Sequence, residues 1–535
     1  MPKHDWVKYF PYKNIRPGQK LAIDEILDAF ESGKKYFILE AGTGVGKSAV
    51  GVTVSRYISD HFSFDEKFVK GSNILTTQKL LQEQYVKDYP EINSLKSSSN
   101  YQCTFHKTQN CNESRKMLQT ADRSSPFFKR CAFSCVYKKA KEKFIDENLG
   151  VTNFSYFLNE TRYSGKIPAK QLLIVDEAHN VPGELSKFIE VTFSDRFAKS
   201  FIGINLPQKI TPSMFVRWVK NDYYPTLAKK VKDFNQGLEK FSSVKARMES
   251  GEFSKISRQL EMLSGHEQKV LTFISLYTKE NWVMSEIPAE ERSGRKIQFK
   301  PIDIAPYANE YLLKMGKFVL MQSATIVDTQ KFGQLCGIND KEKFSSLEIP
   351  CPFPKENRPI IYSGVGKMSA REIDSTLPKL TQAVKEIMKA HKNEKGIIHC
   401  HSYKIAWHLK KSIRSSRLLI HDSVNRDEVL QRHIASKEPT ILLSPSMTEG
   451  VDLKENLSRF QILCKVPFPY LGDSLIRKKM NKWGWWYDLQ TAKTIIQSVG
   501  RSIRSDSDTA VTYILDSSWE RFFSKNKKLF GSEFQ

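Results

Sequence analysis

Residues 36–50, YFILEAGTGVGKSAV, indicate how this chain folds. The apolar run at 36–39 predicts a buried strand, and residues 49–58 are able to form a helix. Between them lies the glycine-rich segment 41–48, AGTGVGKS. A strand, a glycine-rich loop and a helix in this order are the context that a phosphate-binding loop requires. The sequence therefore predicts an α/β fold arranged around a nucleotide site.

The residue types of this loop predict how it binds a nucleotide. Glycines let the backbone fold around a polyphosphate so that its N–H groups point inward, and the following helix adds its positive dipole end. Lys47 is expected to reach the β- and γ-phosphates of ATP, and Ser48 to hold Mg²⁺. Ala41 stands where the strict pattern has glycine. The other expected ATP-binding positions in the loop are Gly42, Thr43, Gly44, Val45 and Gly46.

The composition favours a polyanionic partner. The 535 residues suggest roughly three or four domains at ~150 residues each. With 83 basic and 59 acidic residues, the formal net charge is +24, which favours nucleic acid as the partner. A basic protein without such a partner is the alternative. No apolar run approaches the ~18 residues of a membrane span, and residues 1–10 carry charges without an apolar core, so no secretory signal is expected.

Four of the 8 cysteines lie close together in the sequence. Cys103, Cys111, Cys131 and Cys135 are separated by gaps of 8, 20 and 4 residues, so no CxxC pair exists and a zinc ribbon is disfavoured. Four thiolates are able to hold an iron–sulfur cluster or zinc; four unconnected structural thiols are the alternative. The remaining cysteines are expected to be packing residues: Cys336, Cys351, Cys400 and Cys464.

A second apolar strand, at 172–175, ends in an acidic pair. It leads directly into Asp176-Glu177-Ala178-His179. In a phosphate-loop enzyme, an acidic residue at this place binds Mg²⁺, so Asp176 is predicted to do so. Glu177 is then placed to orient the attacking water as a base. His179 is a candidate for linking the nucleotide site to a polynucleotide site.

Other segments give weaker signals. Gln19, upstream of the phosphate loop, is either a reader of the adenine edge or a solvated residue at a helix start. Thr76 and Thr77 follow a short strand and suit either sugar–phosphate contacts or a helix cap. Ser323 and Thr325 follow the apolar run 318–321, where hydroxyls are able to tie nucleotide state to neighbouring loops.

The second half of the chain predicts another α/β unit. After a linker with two prolines at 351–354, strands are expected at 396–400 and 440–444. Near the end, Arg501 and Arg504 are three positions apart and would share one face of a helix. Two guanidinium groups on one face suit a phosphate clamp supplied across a cleft. A solvated basic helix is the alternative.

In this order, the segments resemble a superfamily 2 helicase and, more narrowly, the iron–sulfur helicases of the XPD/DinG family. The resemblance runs along nearly the whole chain. The matching segments are EAGTGVGKS, ILTTQ, the four cysteines, DEAHN, LMQSATI, CPFPKENRPI, EGVDL, KVPFPY and QSVGRSIRS.

The resemblance implies two RecA-like lobes with ATP between them, and two insertions in the first lobe. Lobe 1 would comprise residues 1–95, 151–185 and 301–345, and lobe 2 residues 346–535. Residues 96–150 would form a four-cysteine iron–sulfur domain. Residues 186–300 would form a helical arch. Independently of the resemblance, residues 184–290 are charged and helical in character, with glycine-rich loops and buried strands nearly absent, which predicts a mostly helical insertion.

The resemblance also implies roles for single residues. Gln19 would lie on the adenine side of the nucleotide. Asp452 and Gln497 would join the ATP site from the second lobe, and Asp452 would belong with Glu449 and Gly450 to a loop that couples nucleotide to DNA. In the same family, the arginines at 501 and 504 would contact the γ-phosphate, and the four clustered cysteines would bind one [4Fe–4S] cluster.

The activity implied is that of an ATP-dependent DNA helicase. It would move 5′ to 3′ along single-stranded DNA and unwind duplex DNA in repair, replication or recombination. Two alternatives stay open: a DNA translocase or ATPase that displaces bound proteins, and an RNA-directed helicase with the same core. A non-catalytic DNA-binding scaffold with a relic ATP site is a third, although every catalytic residue type is present.

The expected cofactors are ATP, Mg²⁺ and a [4Fe–4S] cluster, and the expected partners are single-stranded and forked DNA. A monomer without membrane association is expected, in the cytoplasm or on the nucleoid, or in the nucleus of a eukaryote. No nuclease domain is expected before Gln19. The serines at 97–99 stand where many family members have Gly-Arg, and this segment therefore departs from the family pattern.

Overall fold

Two parallel sheets and one small antiparallel sheet organise the chain. The computed structural model describes residues 4–534 except 64, 117, 119–121, 166, 243–250, 290–293, 423–424, 446–452, 454, 501, 504 and 506–507. The strands within these ranges are β1 Tyr36–Ala41, β2 Val69–Thr76, β3 Asn93–Leu95, β4 Leu149–Asn153, β5 Lys170–Asp176, β6 Val191–Ser194, β7 Trp282–Ile287, β8 Lys296–Pro301, β9 Gly316–Ser323, β10 Phe344–Ile349, β11 Ile360–Gly366, β12 Gly396–His399, β13 Leu418–Ile420, β14 Ile441–Ser444, β15 Phe460–Leu463 and β16 Val511–Asp516.

Helices connect these strands, as parallel neighbours require. In the first half of the chain they are Pro17–Glu31, Lys47–His61, Lys79–Asp88, Cys111–Lys116, Pro126–Phe133, Val136–Asp146, Phe154–Asn159, Val181–Ile189, Asp195–Phe197, Pro212–Trp218, Tyr224–Ser242 and Gly251–Leu276. In the second half they are Ala305–Tyr311, Thr329–Leu335, Ile373–Ala390, Tyr403–Ile413, Arg426–Ala435, Ser474–Lys482, Trp486–Val499 and Ser518–Asn526.

The first sheet has seven strands in the order β10-β1-β9-β5-β2-β4-β3, all parallel. Alternate residues of β5 enter different cores: Leu173 and Val175 pack on one face, and Leu172 and Ile174 on the other. Successive side chains of a strand point to opposite faces, so a strand covered on both sides is apolar throughout. The apolar run predicted at 172–175 is therefore a central strand of the sheet.

The strand order brings three loops to one place. β9 lies between β1 and β5 and pairs with both. The glycine-rich loop follows β1, Glu177 follows β5, and Ser323 ends β9. Because the carboxyl ends of parallel strands meet at one edge, where open α/β sheets bind their ligands, these three segments are side by side.

The second sheet has six parallel strands in the order β11-β16-β15-β12-β14-β13. Its largest core includes Ile398 of β12, Leu443 of β14 and Ile462 of β15. The predicted α/β fold with two lobes is confirmed. One boundary differs from the expectation: β10 pairs with β1, so the first sheet extends to Ile349 rather than ending at 345.

The segment 186–300 differs from the helical insertion expected from the sequence. Beside long helices it contains β6, β8 and β7, which form an antiparallel three-stranded sheet. The residues of β8, KIQFKP, alternate between partly exposed and buried positions. A strand with one solvated face carries polar residues at every second position, so the alternation in KIQFKP was a signal for β8 that the expected helical insertion left out. None of the helices in the described ranges has the length and apolar character needed to cross a membrane.

Candidate nucleotide site and four-cysteine pocket

The glycine-rich loop turns tightly before the helix Lys47–His61. Gly44 and Gly46 have φ angles of 91° and 88°, a left-handed conformation that favours glycine. The loop is also closely covered: a Cβ atom on Gly44 would lie 2.1 Å from the ring of Phe353. Side chains are thus excluded at Gly44 both by backbone conformation and by space.

Lys47 and Ser48 lie at the start of that helix. The Lys47 ammonium donates to the carbonyl oxygen of Ala41, 3.2 Å away, so it folds back over the loop. Cavities flank the loop on two sides. One of about 610 Å³ is lined by Arg16, Gln19 and Ser48, and another of about 670 Å³ between the two sheets is lined by Gly42, Thr43, Val499 and Gly500 among others.

Asp176 lies at the end of β5 and is buried. One carboxylate oxygen accepts from the Gln322 amide at 3.2 Å and from the Glu177 backbone N–H at 3.1 Å. The other accepts from the Tyr85 hydroxyl at 3.0 Å. Burial raises the pKa of Asp176, with the neighbouring Glu177 adding to the rise, while Lys47, Tyr85 and Gln322 oppose it. The group is therefore an organised, buried carboxylate close to Lys47.

Glu177, His179 and Ser323 form one polar group. Glu177 adopts a left-handed φ of 51°, an uncommon backbone conformation that turns the chain sharply after β5. The Ser323 hydroxyl donates to the Glu177 carboxylate at 3.4 Å and lies 2.7 Å from the Nδ1 atom of His179. Nδ1 is also 3.3 Å from the same carboxylate. The end of β9 is thus connected to the end of β5.

Gln19 lies against the loop rather than in open solvent. Its side-chain oxygen accepts from the Arg16 backbone N–H at 3.0 Å, and its amide is 3.4 Å from the carbonyl oxygen of Gly46. The Arg16 guanidinium donates to the carbonyl oxygen of Gly44. The start of the helix Pro17–Glu31 is therefore attached to the glycine-rich loop at two points.

The two lobes contact each other beyond β9. The Gln497 amide, on helix Trp486–Val499, donates to the Thr325 hydroxyl at 3.1 Å. Two residues later, Val327 packs against an apolar cluster of the second lobe that includes Val466, Ile495 and Phe530. Gln497 therefore reaches the Ser-Ala-Thr segment of the first lobe.

Glu40, directly before the glycine-rich loop, holds this same segment. Its carboxylate accepts the backbone N–H groups of Ile326 and Val327 at 2.9 to 3.0 Å. Val327 has a φ of 75°, which is unusual for a β-branched residue. Burial raises the pKa of Glu40 to about 7, although these two hydrogen bonds oppose the rise.

Thr76 and Thr77 have local partners in this structure. The buried Thr76 hydroxyl donates to the carbonyl oxygen of Gln78 at 3.2 Å, and the Thr77 carbonyl oxygen accepts from the Asn153 amide at 3.0 Å. Five other predicted positions lie outside the described residues: Glu449, Gly450, Asp452, Arg501 and Arg504. The helix that precedes the two arginines ends at Val499.

The four cysteines that cluster in the sequence also come together in space. All four are buried, and they line one small cavity with Phe127 and Arg130. The sulfur atoms of Cys111 and Cys135 are 4.0 Å apart. Burial raises the pKa of the Cys111 thiol to about 12 and that of Cys131 to about 11, and the adjacent Cys135 adds to both shifts.

The donor types suit a metal centre, although no three of the four sulfur atoms lie within 4.8 Å of one another. Four sulfur atoms around one cavity are the ligands of zinc or of a [4Fe–4S] cluster. The His106 backbone N–H donates to the Cys103 sulfur at 3.3 Å, and such bonds to ligand sulfur tune iron–sulfur centres. A positive group would also relieve the mutual repulsion of four thiolates, which otherwise disfavours their ionisation.

Sequence reasoning missed Tyr85, Gln322 and Glu40 as parts of the site. Tyr85 lies mid-helix among apolar and polar residues, with no motif to mark it. Gln322 and Glu40 directly precede predicted motifs and lie on buried strands. A polar residue at a buried strand end was the available signal, because buried polar groups need partners.

Two protein-family models match the chain. The helicase C-terminal domain matches residues 384–533, and the res subunit of type III restriction enzymes matches residues 12–204. The first match covers most of the second sheet and the second covers the glycine-rich loop, the four cysteines and the segment after β5.

Curated relatives span nearly the whole chain at low identity. ATP-dependent DNA helicase YoaA of Escherichia coli is 21% identical over 613 residues, covering 94% of this chain and 91% of the relative. YoaA of Haemophilus influenzae is 21% identical with the same coverage. A probable ATP-dependent helicase of Methanocaldococcus jannaschii is 22% identical, covering 95% and 92%.

Solved structures share the architecture. An XPD helicase superposes with a TM-score of 0.64 at 16% identity, covering 97% of this chain and 99% of the other. Xpd4 of S. tokodaii gives a TM-score of 0.56 at 16% identity, covering 96% and 99%. At 16% identity, this structural similarity shows the fold alone.

Proposed function

Because this chain is an XPD/DinG-like superfamily 2 ATP-dependent helicase, we propose that it moves 5′ to 3′ along single-stranded DNA and unwinds duplex DNA. The supporting observation is the connected edge of the first sheet. There the glycine-rich loop, Asp176 and Ser323 lie on neighbouring strands, and Gln497 of the second lobe bonds to Thr325. Such a connection is what an ATPase needs to transmit hydrolysis to a second lobe.

In the proposed ATP site, the backbone of residues 42–46 surrounds the phosphates and Lys47 reaches the β- and γ-phosphates. Ser48 and Asp176 would hold Mg²⁺, which would neutralise charge on those phosphates. Glu177 orients the attacking water. Arg501 and Arg504, with Asp452, complete the site from the second lobe when the cleft closes.

Hydrolysis is proposed to alter the contact between the lobes. Glu177 shares Ser323 with His179, and Thr325 two residues on bonds to Gln497. A change at the γ-phosphate would therefore reach the second lobe through this segment. Glu449 and Gly450 are proposed to carry the same change to the DNA, with Thr77 on the first lobe. The buried Thr76 hydroxyl, bonded to the Gln78 carbonyl oxygen, instead supports the end of β2.

The DNA partner is proposed from charge and from relatives. The relatives named YoaA are described as DNA helicases, and the net charge of +24 suits a phosphate backbone. Binding should be strongly salt-dependent with little sequence preference.

We propose that residues 96–150 hold a [4Fe–4S] cluster through Cys103, Cys111, Cys131 and Cys135, and that residues 186–300 form an arch beside it.

The decisive experiment is anaerobic purification followed by metal analysis and unwinding of tailed duplexes. Iron and sulfide near four per chain, with unwinding only from a 5′ tail, would support cofactor and polarity together. Zinc, or a requirement for a 3′ tail, would contradict those parts and leave an ATPase core. ATPase stimulation by single-stranded DNA and RNA, measured in parallel, distinguishes the RNA-directed alternative. A protein-displacement assay beside the unwinding assay distinguishes a translocase that only removes bound proteins.

A further inference from the structure

Tyr85 brings a phenol into the nucleotide site from an unexpected element. It lies on helix Lys79–Asp88, after β2, and its side chain is only 4% exposed. Its hydroxyl donates to Asp176 at 3.0 Å. The phenol therefore contacts one of the two residues proposed to hold Mg²⁺.

Gln322 completes the same arrangement from β9. Its amide nitrogen is 3.2 Å from one oxygen of Asp176 and 3.4 Å from the Tyr85 phenol oxygen. A Cβ atom on Gly51 would lie 3.2 Å from the Gln322 side-chain oxygen, so the missing side chain of Gly51 gives this amide its space. The glutamine is thus held in one position by packing as well as by hydrogen bonds.

Three hydrogen bonds fix the orientation of the Asp176 carboxylate. A carboxylate offers about four lone-pair sites. The Gln322 amide, the Glu177 backbone N–H and the Tyr85 hydroxyl occupy three of them. The carboxylate therefore has a fixed orientation and one remaining direction in which to meet an ion or its water.

We propose that Tyr85 is a positioning residue for the metal–nucleotide complex: its phenol, together with Gln322, fixes Asp176 in the geometry that receives Mg²⁺. This rests on the proposed role of Asp176. Groups that orient metal ligands through hydrogen bonds change metal affinity by roughly 10–100-fold when they are removed. If Tyr85 only packs, against Tyr89 at 6.0 Å between ring centroids for example, phenylalanine should replace it without effect.

The test is the Mg²⁺ dependence of ADP binding, measured by calorimetry with and without Mg²⁺. In the wild type, Mg²⁺ should tighten ADP binding. Tyr85→Phe should reduce that tightening by about 10-fold and leave ADP affinity without metal unchanged, because the loop itself is intact. The Mg²⁺ concentration for half-maximal ATPase should rise by the same factor.

Tyr57→Phe is the matched control. Tyr57 is a buried tyrosine of the same lobe whose hydroxyl lies 3.4 Å from His4, away from the site, and its variant should behave like the wild type. Gln322→Leu should weaken the Mg²⁺ effect in the same direction, which keeps the test open if Tyr85→Phe folds poorly.

Two results would overturn this inference at different levels. Equal Mg²⁺ effects in the wild type, Tyr85→Phe and Gln322→Leu would refute the role of Tyr85 and leave the proposed function standing. A wild-type protein with no Mg²⁺ effect on ADP binding and no ATPase would refute the proposed function as well.

Discussion

The nucleotide site and the four-cysteine pocket are assembled in different ways. The nucleotide site lies at the ends of three adjacent strands, where Asp176, Glu177 and Ser323 already have hydrogen-bond partners. The cysteine pocket is built from short helices and loops, and its thiols raise one another's pKa. The strands of the sheet hold the residues of the nucleotide site in place. The arrangement of the thiols in the small insertion instead depends on the group that they bind.

Cys111→Ala should have the largest effect. Losing one of four ligands should abolish stoichiometric metal binding and unfold the insertion locally, because a structural metal site contributes on the order of 10 kcal/mol to folding. Metal analysis and limited proteolysis measure this. Cys336→Ala, at another buried cysteine outside the pocket, should retain full metal. Retention of metal by the Cys111 variant would contradict the contrast between the two regions.

Glu177→Gln should reduce ATP turnover by about 10²–10⁴-fold, because it removes the proposed base. ATP binding and the thermal unfolding midpoint should change little, since the sheet holds the site without this charge. Steady-state turnover and nucleotide binding measure the two effects. Glu342→Gln, at an exposed position on the loop before β10, is the control. Unchanged turnover in the Glu177 variant would favour a non-catalytic scaffold.

Glu40→Gln should show that the buried Glu40 carboxyl makes the wild-type free energy of unfolding depend on pH. Burial raises the pKa of Glu40 from its ordinary value of 4.5 to about 7, so the folded protein binds more protons than the unfolded chain between those two pH values. Wild-type stability therefore falls as pH rises through this window, by up to about 3 kcal/mol. The variant, whose amide oxygen still accepts N–H groups, lacks that loss.

Thermal unfolding of both proteins at pH 5 and pH 7.5 measures this difference. At pH 7.5 the unfolding midpoint of the variant should rise relative to that of the wild type. At pH 5 this difference should be small. An equal difference at both values would show that the Glu40 carboxyl does not titrate in this range. The Glu40 carboxyl would then have the same protonation state at both pH values, which contradicts a pKa raised to about 7 by burial.

Gln497→Ala should have the smallest effect. It removes one hydrogen bond between the lobes, which contributes about 1 kcal/mol, so DNA-stimulated turnover should fall roughly fivefold by the same arithmetic. Affinity for ATP on the first lobe should stay close to that of the wild type. Stimulated and unstimulated ATPase rates measure this, with Gln490→Ala on the same helix as control. An equal loss in the stimulated and unstimulated ATPase rates would show that Gln497 acts in ATP binding and not in coupling DNA binding to ATP hydrolysis.

Part of the fold was predicted correctly because local sequence patterns indicate it. The apolar runs at 36–39, 172–175 and 318–321 became β1, β5 and β9. The antiparallel sheet of the insertion was not predicted. β6 and β8 alternate between buried and partly exposed residues but are short, and β7 is buried at its start and exposed at its end, without alternation. The boundary near 345 was placed early because pairing of β10 with β1 is a long-range contact.

The sequence by itself determined which residues form the glycine-rich loop, the acidic strand end and the four-thiol set. These depend on residue types at short spacing, where backbone conformation and burial act locally. Only the tertiary structure decided their neighbours. Tyr85 meets Asp176 across 91 positions, Gln497 meets Thr325 across 172, and Glu40 meets Ile326 across 286. Those contacts follow from strand order and lobe packing, which spacing along the chain does not encode.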